Sequence, residues 1–476
     1  MKTSFNVRIY TTDVYKGTRT TTYWVRWAVE KKQFKEKFKT AALADSFRSE
    51  LVIASRKGEA FCVETGSPMS KLREETTDKT AMSWFDLVAK FVDMKWDDAA
   101  PTHRKSIADA LAPITEAMIA TDRGRPRHRV LRRAIRLHCN KERRNQEHPS
   151  DVAAALGWLA QNTRQVSELV DADFLRKVVS AFERKLDGQR AAYDTIRLRR
   201  TTFGSILAYA HEMDVLSENP WKEVKIKKHK AVAQEVDRRC VANPIQFRTV
   251  LREVADIGRT GAKLAAFFAL MFFAALRPEE ASNLRLYNLR LPPKVWNEEA
   301  QRWEVHEWGV IHLEGAAPEV GAEWTDNGKR HEERELKHRH KGFGRPVPMC
   351  PELALYLYEH IERFGIGPRG LLFVAERGGH IGSSTYGRIW DLARKIAFTA
   401  EVAAGPLAKR PYDLRHACVT FWLNLVKEPK RVAEWAGHSL AVLLREYAKC
   451  IDGGEQEALR NVQEGLTGSA VAFSAA

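Results

Sequence analysis

The chain is expected to be multidomain and mainly α, with small β-sheets: an N-terminal β-β-β-α module, a helical middle domain and a mixed α+β C-terminal domain. Three observations predict this. Near the N-terminus apolar residues alternate over short runs and then shift to helical spacing. From about residue 80 to 225 the apolar residues recur mainly at helical intervals. Beyond about residue 240 a wholly apolar run, Leu264 to Leu276, is followed by alternating runs and then by further helical stripes. A chain of 476 residues is long enough for about two to four domains, each with a normal core.

The N-terminal module is placed at residues 1–65. Val7 to Tyr10 is expected as a first strand. Tyr23, Val25, Trp27 and Val29 define a second, and Phe34 and Phe38 a third. The third strand carries Lys35, Lys37 and Lys39 on its other face. Such a face is either simply solvated or, on a basic protein, a surface that enters a DNA groove. Thr40 opens a helix with Leu43, Phe47 and Leu51 on one stripe. Residues 63–80 are polar and turn-rich and are expected as a linker.

The helical domain is placed at residues 80–225. Arg123 to Arg144 holds ten Lys/Arg and one acid, Glu142. That density is either a solvated face or a surface that needs a polyanion nearby. Ile196, Phe203, Ile206, Leu207 and Ala210 make a stripe, preceded by Arg197, Arg199 and Arg200 as candidate DNA contacts. Asn219-Pro220-Trp221 closes the region, and Lys222 to Lys230 is a basic linker.

The third domain is placed at residues 240–476. Arg277 ends the apolar run, and Pro278, Glu279 and Glu280 suit the first turn of the next helix. An arginine meeting the C-terminal dipole of a helix is the bland explanation of Arg277. Trp303 to Leu313 and Glu335 to Met349 are expected as strands, with Leu336 to Lys341 a basic hairpin. Arg415 is followed 23 residues later by His438, and His438 nine residues later by Tyr447. Arginine donates two parallel hydrogen bonds to phosphate oxygens, histidine exchanges protons near neutral pH, and a tyrosine hydroxyl can attack phosphorus. Gly437 suits a left-handed helix end, and Ser439 caps a helix placing Leu443 and Tyr447 on one face. A helix is expected over Glu455 to Leu466.

Composition narrows the partner. The chain has 77 Lys+Arg against 61 Asp+Glu, net +16. This surplus favours a polyanion, most often nucleic acid, over a merely basic surface. Six scattered cysteines without a C-x-x-C pair argue against a disulfide scaffold or a zinc ribbon. There is no apolar signal core at the N-terminus, and the longest apolar run is too short for a bilayer. No phosphate-cradling glycine loop and no acidic cluster suited to two-metal catalysis are present. No metal, cofactor or membrane is therefore expected, and the location expected is cytoplasmic, associated with the nucleoid.

Taken together, Leu414-Arg415-His416, Gly437-His438 and Tyr447 resemble the C-terminal motif of the tyrosine recombinases, the phage-integrase superfamily. Ala275 to Glu280 is similar to that family's first arginine element, with Arg277 the arginine and Glu280 its supporting acid. Lys337, followed by Arg345-Pro346-Val347-Pro348, resembles the hairpin lysine, with Lys341 a rival. The match spans about 240–450; elsewhere it is one of layout, an arm-DNA-binding module at 1–65 and a core-binding domain at 80–225. The family places a histidine where this chain has Tyr412, which leaves that position either a donor or a packing aromatic.

The resemblance implies a site-specific integrase of a phage or other mobile element, cutting and rejoining double-stranded DNA through a 3′-phosphotyrosine and a Holliday junction. It implies Arg277, Lys337, Arg415, His438 and Tyr447 as catalytic residues, supported by Glu280, Tyr412 and His416. A tetramer on paired sites, an accessory DNA-bending protein or an excisionase would be partners. Chromosome-resolving recombinases resemble shorter chains, and type IB topoisomerases have another domain layout. The alternative is a DNA-binding relative without catalysis.

Overall fold

The computed structural model describes residues 2–16, 21–71, 82–225, 235–336, 344–376, 378–426, 428–447, 450, 459–460, 462–464 and 466. It is mainly helical with small sheets, as expected, and divides into two compact units. The first comprises residues 1–99 and 106–229, the second 100–105 and 230–476.

The first unit opens with β1 (Thr3–Ser4), β2 (Val7–Ile9), β3 (Asp13–Lys16), β4 (Thr21–Val29), β5 (Lys32–Phe38), α1 (Ala41–Arg56) and β6 (Phe61–Cys62). β4 is central: β2 and β3 pair with it in succession, and β5 pairs along its length. β3 is not among the expected strands. Alternation along β4 sends Val25, Trp27 and Val29 into a core with Ala44, Leu51 and Phe61. Leu43 is 56% exposed, because α1 turns Ala44, Phe47, Leu51 and Ala54 inward instead. Residues beyond Cys62, expected as linker, first fold back on this sheet: the Trp27 indole donates to the Gly66 carbonyl at 2.7 Å. The rest of that expected linker, 72–80, lies outside the described residues.

Helices α2 (Trp84–Trp96), α3 (Pro101–Ala117), α4 (His128–His138), α5 (Ser150–Asn162), α6 (Ala172–Phe182), α7 (Tyr193–Glu212) and α8 (Pro220–Glu223) follow. The expected stripe of α7, from Ile196 to Ala210, is buried. Gly204 is required there, since a Cβ would lie 2.7 Å from the Trp221 ring nitrogen. Of the basic linker 222–230, residues 226–230 lie outside the described residues.

The second unit contains α9 (Pro244–Asp256), α10 (Gly258–Phe273), α11 (Pro278–Ser282), β7 (Leu289–Arg290), β8 (Val295–Asn297), β9 (Arg302–Glu304), β10 (Gly309–Leu313), β11 (Gly315–Ala316), β12 (Arg334–Glu335) and β13 (Arg345–Met349). It continues with α12 (Pro351–Phe364), α13 (Ser383–Ala397), α14 (Ala400–Ala404), α15 (Tyr412–Leu425), α16 (Pro429–Ala436) and α17 (Leu440–Tyr447). α10 is buried on nearly every side, as its composition requires. A three-stranded antiparallel sheet in the order β13-β10-β7 packs into the same core.

The strand expected over Trp303–Leu313 is two strands. β9 pairs only with β8 in a separate hairpin, and β10 joins the main sheet. Between β11 and β12 runs an ordered segment, 317–333, that the sequence pattern does not announce. The basic stretch 337–343, and most of the helix expected over 455–466, lie outside the described residues. Among the described residues no helix is long and apolar enough to cross a membrane.

Candidate active site

The site is built where the buried helix α10 stops. The helix ends at Phe273, not at Arg277. Ala275 then takes φ +50°, a left-handed conformation that costs an alanine about 1 kcal/mol. The turn is retained because the Arg415 guanidinium donates to the Ala275 carbonyl. Arg277 follows in extended backbone as the N-cap of α11, so a helix C-terminal dipole does not account for it.

Glu280, 1% exposed, is the hub. Its carboxylate accepts from the Arg277 backbone N–H at 2.8 Å and side chain at 2.9 Å. It also accepts both terminal nitrogens of Arg345, at 3.1 and 3.0 Å, and lies 4.0 Å from Arg415. Burial opposes its charge, but Arg345, Arg415 and Arg277 together hold its carboxyl down to about 2. Three guanidinium groups therefore share one carboxylate, an excess of positive charge in a dry centre.

Arg415 sits in the first turn of α15 and is fully buried. Besides Ala275 it donates to the Ala436 carbonyl at 2.5 Å and contacts His438 Nε2 at 2.8 Å. A guanidinium only donates, so His438 Nε2 accepts and the neutral ring carries its proton on Nδ1. Burial first, then Arg415, Arg277 and Arg345, push the imidazole down to about 3, so it is neutral at pH 7. Its Nδ1 is buried and has no hydrogen-bond partner among the described residues.

Gly437 brings α16 to this point. Its φ is +66°, and a Cβ there would lie 2.1 Å from Arg345 Nη1. Any side chain would displace the guanidinium. Ser439 Oγ accepts the Val442 N–H at 3.2 Å and caps α17, whose inward face carries Leu443 and Tyr447.

Tyr447 is 1% exposed. Its hydroxyl lies 2.8 Å from His416 Nδ1. Burial raises the tyrosine's pKa well above its ordinary value, although Arg415 opposes this. Burial also pushes His416 down to about 4, leaving a neutral imidazole able to accept a proton. The Tyr412 ring packs edge-on to His416, with centroids 5.1 Å apart.

A cleft of about 620 Å³ opens over the centre, lined by Arg277, Glu280, Arg345, Gly437 and His438. Tyr447 does not line it. The site thus brings together Arg277, Glu280, Tyr412, Arg415, His416, His438 and Tyr447; Lys337 and Lys341 lie outside the described residues. Sequence reasoning misses Arg345 as a site residue. Its signal is present in Arg345-Pro346-Val347-Pro348, which reads there as the end of a strand and as the stretch that follows the hairpin lysine, not as part of the site.

The candidate DNA contacts separate into two groups. Lys35 and Lys37 lie over the Trp24 ring, at 5.3 and 5.9 Å, on the face that also presents Arg26; Lys39 is exposed just beyond β5. Arg197 is exposed. Arg199 instead donates to the Phe182 and Arg184 carbonyls at 2.6 and 3.1 Å, and Arg200 pairs with Glu183. The basic run 123–144 is also largely answered internally. Glu116 takes Arg132 at 2.7 Å, Asp97 takes Lys141 at 2.9 Å and Asp93 takes Arg144 at 3.0 Å. Exposed Arg129 and Arg133 on α4 have no ion pair among the described residues.

No group of three or more histidine, cysteine or acidic side chains among the described residues is placed to hold a metal ion. No family model matches the chain, and no curated protein matches it. Solved structures show a likeness. The Tn1549 transposon integrase in complex with a circular intermediate DNA is 16% identical, over 70% of this chain and 98% of that one, with a TM-score of 0.46. XerH site-specific recombinase bound to difH is 12% identical, over 82% and 95%, with a TM-score of 0.43. A lambda integrase dimer bound to a COC' core site is 10% identical, over 90% and 91%, with a TM-score of 0.38. At these values the likeness does not carry the functional reading, which rests on the residues of the site.

Proposed function

We propose that this chain is a tyrosine-type site-specific DNA recombinase, an integrase of a phage or other mobile element. The observation that carries the reading is the centre itself. Arg277, Arg345 and Arg415 share Glu280 beside a cleft, His438 lines that cleft and has a buried Nδ1 without a hydrogen-bond partner among the described residues, and Tyr447 lies against His416 one residue from Arg415. A phosphodiester is the anion whose developing charge such a centre would stabilise. Each well-placed donor of this kind is worth on the order of 100- to 1,000-fold in rate.

In this reading Tyr447 moves from its buried position to the cleft and attacks phosphorus, and His416 takes the hydroxyl proton. A 3′-phosphotyrosine forms and the 5′ oxygen leaves. The link conserves the energy of the phosphodiester, so rejoining needs no nucleotide cofactor. The domains at 1–65, 80–225 and 240–476 are assigned to arm DNA, core DNA and catalysis. Lys35, Lys37, Lys39 and Arg197 are the DNA contacts we retain, with double-stranded DNA, a tetramer on paired sites and an accessory bending protein or excisionase as partners. The test is covalent trapping on nicked duplexes drawn from the DNA beside the gene. A protein–DNA adduct is expected; a binder without catalysis gives none.

Lys337 is proposed as the acid for the leaving 5′ oxygen. Lys337→Ala is expected to slow cleavage by about 100- to 10,000-fold, and a strand with sulfur as the leaving atom should largely rescue it. Rescue in Lys341→Ala but not in Lys337→Ala reverses the assignment.

Tyr412 is proposed as a hydrogen-bond donor in place of the family's histidine. Tyr412→Phe is expected to lose roughly 10- to 1,000-fold in single-turnover cleavage at unchanged DNA affinity, and Tyr412→His to retain much of the activity. A phenylalanine variant as fast as the parent makes Tyr412 a packing residue against His416.

A further inference from the structure

The cleft over Glu280 is not isolated. Arg334 and Glu335 line its outer wall and also a shallow depression containing Arg285, Glu333 and Arg369. Glu333 and Arg369 in turn line another cleft of about 780 Å³, with Lys329, Arg330, His380 and Thr385. The shared residues make the three depressions neighbours along one surface. In the middle one, Arg285, Arg334 and Arg369 face Glu314, Glu333 and Glu335, and the charges nearly balance. The lining of the Glu280 cleft also balances, Arg277, Arg334 and Arg345 against Glu279, Glu280 and Glu335, and the surplus of lining cations lies at the far end.

The far end is built by segment 317–333. The Val320 and Gly321 N–H groups donate to the Arg330 carbonyl at 3.0 and 3.1 Å, and Thr325 Oγ1 donates to the Lys329 carbonyl at 2.7 Å. Trp324, 2% exposed, anchors the loop. Lys329 and Arg330 are thereby held at the rim, opposite Ser384 and Thr385 in the first turn of α13. Lys329 has no ion pair among the described residues. Arg330 shares Glu319, which also accepts the Ser383 N–H at 2.7 Å. Deeper in, the His380 side chain is 6% exposed, 3.8 Å from Glu333, and its Nε2 has no hydrogen-bond partner among the described residues. Burial, then His331, push that ring down to about 4, so the charge of this cleft comes from Lys329, Arg330 and Arg369.

We infer that this far cleft is a second backbone-phosphate station, which holds the duplex to one side of the phosphodiester at the Glu280 centre. The inference rests on the DNA-cutting reading for its partner. Arg330 is paired with Glu319 and Arg369 with Glu333, which leaves Lys329 as the surplus charge; with two hydroxyls beside it, that charge suits a phosphodiester oxygen better than a base edge. Being sequence-independent, such a contact is read by its salt dependence.

The test measures binding of the full chain to an arbitrary duplex of about 30 base pairs, by fluorescence anisotropy across a range of NaCl. Lys329→Gln is expected to lower the slope of log affinity against log salt by about one, and Lys329→Gln with Arg330→Gln by about two. At about 0.1 M salt the double variant should bind on the order of 10- to 100-fold more weakly. Lys329→Arg should keep the parent slope. A parent-like slope in both glutamine variants overturns the station. The same preparations report the adduct on the DNA beside the gene. A lowered slope without any parental adduct leaves the station standing and removes the recombinase; an adduct with unchanged slopes does the reverse.

Discussion

Tyr447→Phe is expected to abolish the covalent protein–DNA adduct while leaving duplex affinity within about two-fold. The substitution removes one oxygen from a side chain that is 1% exposed and packed beside Leu443. The ring, which fills the core, stays. What is lost in the resting protein is a hydrogen bond to His416, worth about 1 kcal/mol. What is lost in the reaction is the nucleophile, for which no neighbouring donor of electrons substitutes. Gel separation of the adduct after trapping on a nicked site checks the outcome. An adduct at parental yield removes Tyr447 from the role and makes Tyr412 the next candidate.

Glu280→Gln is expected to damage both stability and cleavage. Three arginines depend on this carboxylate, and Arg345 is itself 2% exposed. A neutral amide leaves their mutual repulsion uncompensated in a buried centre, a change that costs about 3–5 kcal/mol. The pH dependence has the same origin. Glu280 has its folded pKa lowered from 4.5 to about 2, so its contribution is fully present above about pH 4.5 and is lost as pH falls toward 2. With about 1.4 kcal/mol for each tenfold change in proton affinity, this amounts to roughly 3 kcal/mol. Thermal melts of parent and variant from pH 7 down to 3 check it: the parent should lose stability below about pH 4.5 more steeply than the variant. Equal melting temperatures throughout would show that Glu280 does not hold the centre.

Local chemistry made part of this legible. The end of α16 at Gly437, the cap at Ser439 and the pairing of Leu443 with Tyr447 on one face follow from glycine's tolerance of positive φ, a hydroxyl acceptor and the 3.6-residue period. The apolar run beginning at Leu264 has one outcome in water, a buried helix. The spacing from Arg415 to His438 also translates directly into contact, because one short helix returns the chain to the start of α15.

What escaped depends on partners distant in sequence. Arg345 and Glu280 are 65 residues apart, and nothing near Arg345 shows that a carboxylate awaits it. The same blindness affects the arginines that precede the α7 stripe. Arg199 finds backbone carbonyls and Arg200 finds Glu183, so two of the candidate DNA contacts are occupied inside the unit. The apolar pattern runs through Leu276 and so places Arg277 at a helix end. The left-handed turn at Ala275, supported by Arg415, breaks the helix earlier. Segment 317–333 has no strong periodicity and is ordered by backbone pairing and by Trp324, which composition does not reveal.

The most direct measurement of the central claim is the chemical identity of the trapped link. The full chain is incubated with nicked duplexes taken from the DNA beside its gene, the adduct is digested with protease and nuclease, and the modified peptide is sequenced by mass spectrometry. A nucleotide joined through its 3′ phosphate to the hydroxyl of Tyr447 is expected. A 5′ linkage, a link to any other residue, or no adduct on duplexes that the protein binds would contradict it.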